Sequence, residues 1–184
     1  MIGAITAGLY GTGVPPVTNS YESIATFTLA STSTGVTFTS IPSTFKHLQL
    51  RITANVSTTD AINFQFNGDT GSNYALHRLE GNGSSASASA STTRSSIGIL
   101  TGAGFASTAS TFGASIVDIL DYTNTNKNKT VRALSGSDRN GSGGIELDSG
   151  LWFATPAAIS SIYVYPSSGN MAINTSIALY GIKG

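Results

Sequence analysis

Apolar and polar residues alternate along most of the chain after residue 20. Between His47 and Asn55, leucine, isoleucine or alanine occupies every second position, and polar residues occupy the positions between them. Because successive side chains of a β-strand point to opposite faces, this pattern predicts a strand that is buried on one face. Similar runs are found at 23–29, 35–39, 62–66, 73–80, 115–122, 130–134, 145–153, 160–165 and 172–182.

The period of these runs also indicates the fold class. No window of helical length has apolar residues at a period of 3.6, so we expect an all-β protein. About ten short strands separated by turn residues are typical of an antiparallel β-sandwich, and we expect a jelly-roll-like one. A closed barrel is the alternative.

Two segments determine how we expect neighbouring strands to be connected. The sequence Asn67-Gly68-Asp69 between 62–66 and 73–80 is a turn signal, so these two runs are predicted to form a hairpin. Residues 82–96 have low complexity and alternate Ser with Ala. They can form a flexible loop or a flat edge strand, and we favour the loop because Gly83 and the adjacent serines break the alternation.

The first twenty residues differ from the rest of the chain. They contain no charge, four glycines and a Pro15-Pro16 pair, which disfavour both helix and strand. We therefore expect an extended N-terminal arm at 1–20 and a single β-domain at 21–184. The arm would bind a partner through Ile5, Leu9, Tyr10 and Val14, with the two prolines as a stiff spacer; the alternative is that it caps its own core.

Composition and charge narrow the possible functions. Only 10% of the residues are charged, the net charge is zero, there is no Cys, and roughly fifty residues are Ser or Thr. A neutral chain has no electrostatic attraction for a nucleic acid backbone or an anionic membrane. The absence of Cys excludes disulfides and thiolate metal sites. The arm lacks the basic region of a secretory signal, and no stretch approaches the length of a membrane-spanning helix.

The acidic residues give no pair suited to glycoside hydrolysis. Asp118 and Asp121 lie three positions apart, so on one strand they point to opposite faces and cannot flank one bond. A symmetric hairpin centred on Asn126 would place Leu120 opposite Arg132 and make Asp118 a diagonal neighbour of Arg132. We therefore expect a structural Asp118–Arg132 pair, provided that this register holds.

Other candidate chemistry is sparse. His47 and His77 have no companions at metal-ligand spacing, although a pH-sensitive pair is conceivable if their strands are adjacent. The abundant serines lack a G-x-S-x-G motif. We expect no catalytic residue, no cofactor and no metal. Trp152 could face outward and stack on a sugar, together with Tyr163 and Tyr165, but core packing is the favoured interpretation for these aromatic residues.

Several blocks of the sequence resemble a widespread group of tailed-bacteriophage virion proteins. They occur in the same order over almost all of 21–183 and read SYESIATFTL, SIPSTFKHLQLRI, FNGDTGSNYALHRLEGNGSS, FGASIVDILDYTN, NKTVRALSG and SIALYGIK. The arm at 1–20 is not part of the resemblance. The resemblance implies a structural β-sandwich of the virion without enzymatic activity.

Within that group we expect a capsid decoration (cement) protein that binds the outer surface of the major capsid protein and stabilises capsomer junctions. It would form a homo-oligomer, expected to be a trimer, in a virion assembled in the host cytoplasm. The alternative is a receptor-binding or carbohydrate-binding module of the tail, baseplate or fibre, attached to a tail protein. In that case Trp152 or the segment 82–96 would face the host.

Overall fold

The computed structural model describes residues 20–100 and 104–184, and within these ranges it contains strands and no helix. The twelve strands are β1 (Tyr21–Thr28), β2 (Val36–Phe38), β3 (His47–Ala54), β4 (Ile62–Phe66), β5 (Tyr74–Gly81), β6 (Ala86–Arg94), β7 (Ile97–Ile99), β8 (Gly113–Ile119), β9 (Lys129–Asp138), β10 (Gly143–Trp152), β11 (Ile162–Pro166) and β12 (Ser176–Ile182). With no helix among the described residues, none of them belongs to a helix that could cross a membrane.

The strands form two antiparallel sheets. The large sheet has eight strands in the order β1-β12-β3-β8-β9-β10-β5-β6, and the small sheet has four in the order β2-β11-β4-β7. The prediction of an all-β antiparallel sandwich is therefore confirmed, while the jelly-roll connectivity stays a prediction. The arm residues at 1–19, with Ile5, Leu9, Tyr10, Val14, Pro15 and Pro16, lie outside the described residues.

The core lies between the two sheets and follows from the alternation in the sequence. In β3 the apolar positions Leu48, Leu50 and Ile52 are buried, and Arg51 between them is exposed. The small sheet contributes β4, in which apolar and polar residues alternate and all five are buried. Burial of these side chains is the main force that holds the two sheets together.

The predicted hairpin between 62–66 and 73–80 is wrong, because these two strands belong to different sheets. β4 pairs with β11 and β7 in the small sheet, and β5 pairs with β10 and β6 in the large one. The turn at Asn67 and Gly68 carries the chain across the core. The Tyr74 hydroxyl accepts a hydrogen bond from the Phe66 amide (3.0 Å) and donates one to the Asp69 carbonyl (3.1 Å), which ties the crossing together.

The favoured loop at 82–96 is also wrong, since most of this segment is the edge strand β6, paired with β5. Gly83, at a φ of 88°, lies in the turn before β6 rather than in a flexible tip. The Asn82 side chain closes that turn by accepting hydrogen bonds from the amides of Ser84 (3.0 Å) and Ser85 (2.9 Å). The short strand β7 was not predicted; its Ile97 packs against Gly150 of β10, where a Cβ would come within 2.8 Å.

Candidate functional site

Five large aliphatic side chains are exposed on the outer face of the large sheet, the face that points away from the core. They are Leu79, Ile116, Leu134, Ile145 and Leu147, and their exposed fractions run from 47% to 59%. We call this set the aliphatic patch. Monomeric proteins rarely expose contiguous apolar surface on this scale without a function for it.

The strand register places four of these side chains in one row. Ile116 pairs with Leu134, Leu134 with Leu147, and Leu147 with Leu79, so the four run side by side across β8, β9, β10 and β5. We call this line the ridge row. Directly opposite side chains on neighbouring strands lie about 5 Å apart, so the row forms a continuous apolar ridge.

A second row of mostly small residues runs beside the ridge row. It consists of Ala114, Gly136, Ile145, Gly81 and Ala86, which are register partners across five strands. We call this line the small row. A shallow groove of about 320 Å³ lies along it, with Ala114, Gly136 and Ile145 among its lining residues.

The polarity of β5 and β10 is inverted relative to an ordinary surface sheet. Leu79, Ile145 and Leu147 are exposed, whereas Glu146 and Asp148, which alternate with them, are 1% and 2% exposed. The buried charges form one cluster: the Arg78 Nε lies 3.1 Å from the Glu146 Oε1 and 3.5 Å from the Asp148 Oδ1. Burying charges while exposing leucines costs free energy in an isolated monomer, so something must compensate for it.

The environment of this cluster changes the titration of Asp148. Burial, followed by the negative charge of Glu146, raises the pKa of Asp148 to about 8, against the opposing effect of Arg78. The sequence contains a signal for this cluster that was missed. Arg78 and Glu80 alternate with apolar positions on one run, as do Glu146 and Asp148 on another. In the paired strands Arg78 lies opposite Asp148, whereas Glu80 lies opposite Glu146.

Asp118 and Arg132 lie on the polar rim of the aliphatic patch, with a register that differs from the predicted one. They are direct cross-strand partners, and Leu120 donates its amide to Thr130 instead of facing Arg132. The hairpin is centred on residue 125 rather than 126. The Asp118 Oδ1 accepts a hydrogen bond from the Gln49 side-chain Nε2 (2.8 Å), and no ion pair joins Asp118 to Arg132 in the described ranges.

The opposite rim of the patch carries Asp138. This residue ends β9 on the same outer face as Arg132, and it accepts a hydrogen bond from the Asn140 amide (2.8 Å). Arg132 and Asp138 lie six positions apart on one strand, a distance of about 20 Å at the rise of a β-strand. They therefore cannot pair within one molecule.

Trp152 is buried, with only 5% of its surface exposed, so the sugar-facing alternative is wrong and the favoured core interpretation holds for this residue. Its indole packs edge-on against Phe66 at 5.5 Å and donates a hydrogen bond to the Asp69 Oδ2 (2.7 Å). Burial raises the pKa of Asp69, but hydrogen bonds from Trp152, Asn73 and Gly71 outweigh it and leave the pKa below its ordinary value. Trp152 is therefore a structural residue.

The other aromatic and histidine candidates do not converge on a site. The Tyr163 and Tyr165 rings stack on each other with centroids 4.8 Å apart. His47 and His77 are not neighbours, because β8, β9 and β10 separate their strands. The His47 Nδ1 accepts a hydrogen bond from the Asp121 amide (2.9 Å). In the part of the chain that the structure describes, no group of three His, Cys, Asp or Glu side chains is arranged to hold a metal ion.

No protein-family model matches the chain, and a search of curated proteins finds no match. The aliphatic patch is the largest group of exposed aliphatic side chains among the described residues.

Proposed function

We propose that the protein is a structural component of a tailed-bacteriophage particle and that it acts by packing against other protein surfaces. More specifically, we propose a capsid decoration protein that binds the major capsid protein. The observation that supports packing is the inverted polarity of β5 and β10, which exposes leucines and buries Glu146 and Asp148. The resemblance of the sequence blocks to virion proteins supplies the setting.

The size of the patch suits a contact that is repeated many times. Five half-exposed aliphatic side chains present roughly 500 Å² of apolar surface, near the upper range for a monomer. At ~25 cal/mol per Å², its burial contributes on the order of 10 kcal/mol. Association costs about 4–15 kcal/mol in lost freedom, so one such contact is weak and gains strength from its neighbours on a shell.

The N-terminal segment completes the proposal as the anchor on the capsid. The first described residue, Ser20, accepts a hydrogen bond from the Lys183 amide (3.0 Å) beside β1, at the opposite edge of the large sheet from β6. The arm therefore joins the domain away from the patch. We propose that Ile5, Leu9, Tyr10 and Val14 bind the major capsid protein, with Pro15-Pro16 as the spacer.

Deletion of residues 1–20 tests the anchor. The truncated chain should fold, with an unchanged circular dichroism spectrum and melting transition, but should no longer bind particles stripped of the protein. The full-length chain is the matched control. Normal binding by the truncated chain would contradict the anchoring role.

Copy number tests the place on the particle. Quantitative mass spectrometry of purified particles should count hundreds of copies relative to the major capsid protein. Tens of copies or fewer would place the chain at the tail and contradict decoration. Two features were expected to face the host in a tail module: Trp152, which is buried, and the segment 82–96, which is exposed but contains no aromatic residue to stack on a sugar. We therefore do not propose glycan binding as a second function.

A further inference from the structure

We propose that the aliphatic patch is a two-fold contact with a second copy of this chain, made face to face between the two large sheets. This inference rests on the proposed function, because it names the partner of the surface on which that function depends. Three features support a second copy as the occupant: the arrangement of the two rows, the charges on the two rims, and the size of the patch.

The two rows are complementary to each other in shape. The ridge row carries large side chains, and the small row beside it carries Ala or Gly on four of its five strands. A two-fold axis that runs parallel to the rows, midway between them, places the ridge row of each copy over the small row of the other. The resulting contacts pair a large with a small residue on three strands: Ile116 with Ala114, Leu134 with Gly136, and Leu79 with Gly81.

One strand departs from this pattern. On β10 the same operation brings Leu147 against Ile145 of the second copy, so two large side chains meet near the centre of the contact. Interfaces are most tightly packed at the centre and commonly hold their largest apolar residues there. Leu147 and Ile145 are therefore expected to be the central residues of the contact.

The rim charges match under the same symmetry. Arg132 lies two positions beyond the ridge row on β9, and Asp138 lies two positions beyond the small row on the same strand. The two-fold axis brings Arg132 of each copy over Asp138 of the other. Aligned sheets cross at about 30°, which shifts these two positions by about one strand spacing, a distance that the long arginine side chain can span.

The arginine is available for such a contact. Among the described residues the guanidinium of Arg132 takes part in no ion pair, and its cross-strand neighbour Asp118 accepts its hydrogen bond from Gln49 instead. The pairing between copies would supply each Arg132 with a carboxylate, twice per dimer. Complementary rim charges of this kind fix the register of an interface more than they strengthen it.

The size of the patch predicts a weak dimer. Each copy would bury roughly 500 Å² of aliphatic surface plus its rim, at the low end of specific interfaces, which bury about 800 Å² per partner. An isologous contact closes at two copies, so the predicted state is a dimer. A trimer would need a second and different contact.

The first test changes the ridge. Sedimentation velocity of the full chain from about 1 to 200 μM should show a monomer–dimer equilibrium. Leu134→Asp should raise the dimer Kd at least about a hundredfold, because it places a charge inside the contact. Thr130→Asp is the matched control, since Thr130 is also an exposed position of β9 on the outer face but lies outside both rows, and it should leave the Kd within about threefold.

The second test exploits the impossibility of an Arg132–Asp138 pair within one molecule. Arg132→Asp gives a chain with acids at both rims, and Asp138→Arg gives a chain with arginines at both. Each variant alone should dimerise about tenfold more weakly than the natural chain, because like charges meet across the axis. Mixed together, the two variants should form heterodimers, detected as the mixed mass by native mass spectrometry.

The outcomes separate this inference from its competitors. Monomers at every concentration, or a mixture of the two charge variants without heterodimers, would overturn the two-fold contact. If the chain's own arm covers the patch, the patch leucines should be shielded in the dilute monomer and become reactive to hydroxyl radicals once residues 1–20 are deleted. That result would also overturn the two-fold contact. Copy number and arm deletion test the proposed function independently, so a monomeric chain present at hundreds of copies would refute only the dimer.

Discussion

The outer face of the large sheet has two halves, which differ in the side chains that they expose to solvent. On β1, β12 and β3, the Arg51 guanidinium lies over the Tyr180 ring at 4.8 Å and over the Tyr21 ring at 5.4 Å, and its Nε donates to the Gln49 side chain. On this half, a charged side chain of the same sheet therefore packs over the aromatic rings. On β8, β9, β10 and β5, the leucines and isoleucines of the aliphatic patch have no such cover in the described part of the chain.

The difference shows what exposure means on a β-sheet. Both halves bury their inner face in the same core, and each contains one strand with a register shift, β1 in the first half and β5 in the second. The first half has the charged and polar side chains of an ordinary solvent-facing surface. The second resembles the inner face of a sandwich that lacks its other layer, which is why we assign the association contact to it.

The two faces of the large sheet should differ most in how much a leucine side chain contributes to the free energy of unfolding. Leu50→Ala, at a fully buried position of β3, should lower the free energy of unfolding by about 3 kcal/mol, because it leaves a cavity in the core. Leu134→Ala, at an exposed position of the patch, should change it by less than about 1 kcal/mol in dilute monomer. Urea denaturation of the two variants measures both values, and equal losses would contradict the assignment of faces.

A pH dependence follows from the inverted polarity of β5 and β10. Because the folded-state pKa of Asp148 is raised to about 8 from an ordinary value of 3.8, the folded state holds a proton that the unfolded state has already lost between these values. The free energy of unfolding should therefore fall as pH rises from about 4 to 8, by a few kcal/mol. Asp148→Asn should flatten this slope, and a slope unchanged by the substitution would show that the carboxyl is not responsible.

The Trp152–Asp69 contact gives a smaller effect. Trp152→Phe keeps an aromatic ring against Phe66 but removes the hydrogen bond to the Asp69 carboxylate, so we expect a loss of about 2 kcal/mol in thermal or urea unfolding. Trp152→Phe should leave the dimer Kd unchanged, since the indole points into the core. A change in dimerisation without a change in stability would mean that Trp152 belongs to a surface.

The smallest effect is expected on the half of the outer face that covers itself. Arg51→Ala removes the cation from the Tyr180 and Tyr21 rings and should cost about 0.5–1 kcal/mol of stability. Arg51 is the register partner of Ile116 at the β3 end of the ridge row, so its removal should change the monomer–dimer Kd far less than Leu134→Asp, which lies inside the contact. Stronger association of this variant would show that uncovering aromatic surface is enough to create a contact, and it would weaken the distinction between the two halves.

Most strands could be predicted because their alternating residues differ strongly in hydrophobicity. In β3, leucines alternate with Gln and Arg, and the period of two is visible without any knowledge of the partner strands. In β6, alanine alternates with serine, which differ little in hydrophobicity, so a genuine strand resembles a loop. The predicted hairpin after β4 is wrong for a related reason. A turn signal shows that the chain changes direction, but not which sheet the next strand joins.

The patch itself could not be located from the sequence. Alternation separates Leu79 and Leu147 from the charged residues beside them, but it does not say which of the two faces meets the core. The pairing of β5 with β10 brings Arg78, Glu146 and Asp148 together on the inner face of the large sheet. The sequence contained the elements of the surface, and the tertiary arrangement determined its orientation.

The most direct measurement of whether the patch is a protein contact is hydroxyl-radical footprinting of purified particles beside the dilute monomer. Leu79, Leu134 and Leu147 should be oxidised at least about fivefold more slowly in the particle, because an interface core excludes water. Tyr180, on the half that covers itself, should react at similar rates in both samples. Equal reactivity of the three leucines in particle and monomer would show that the aliphatic patch is not a protein contact.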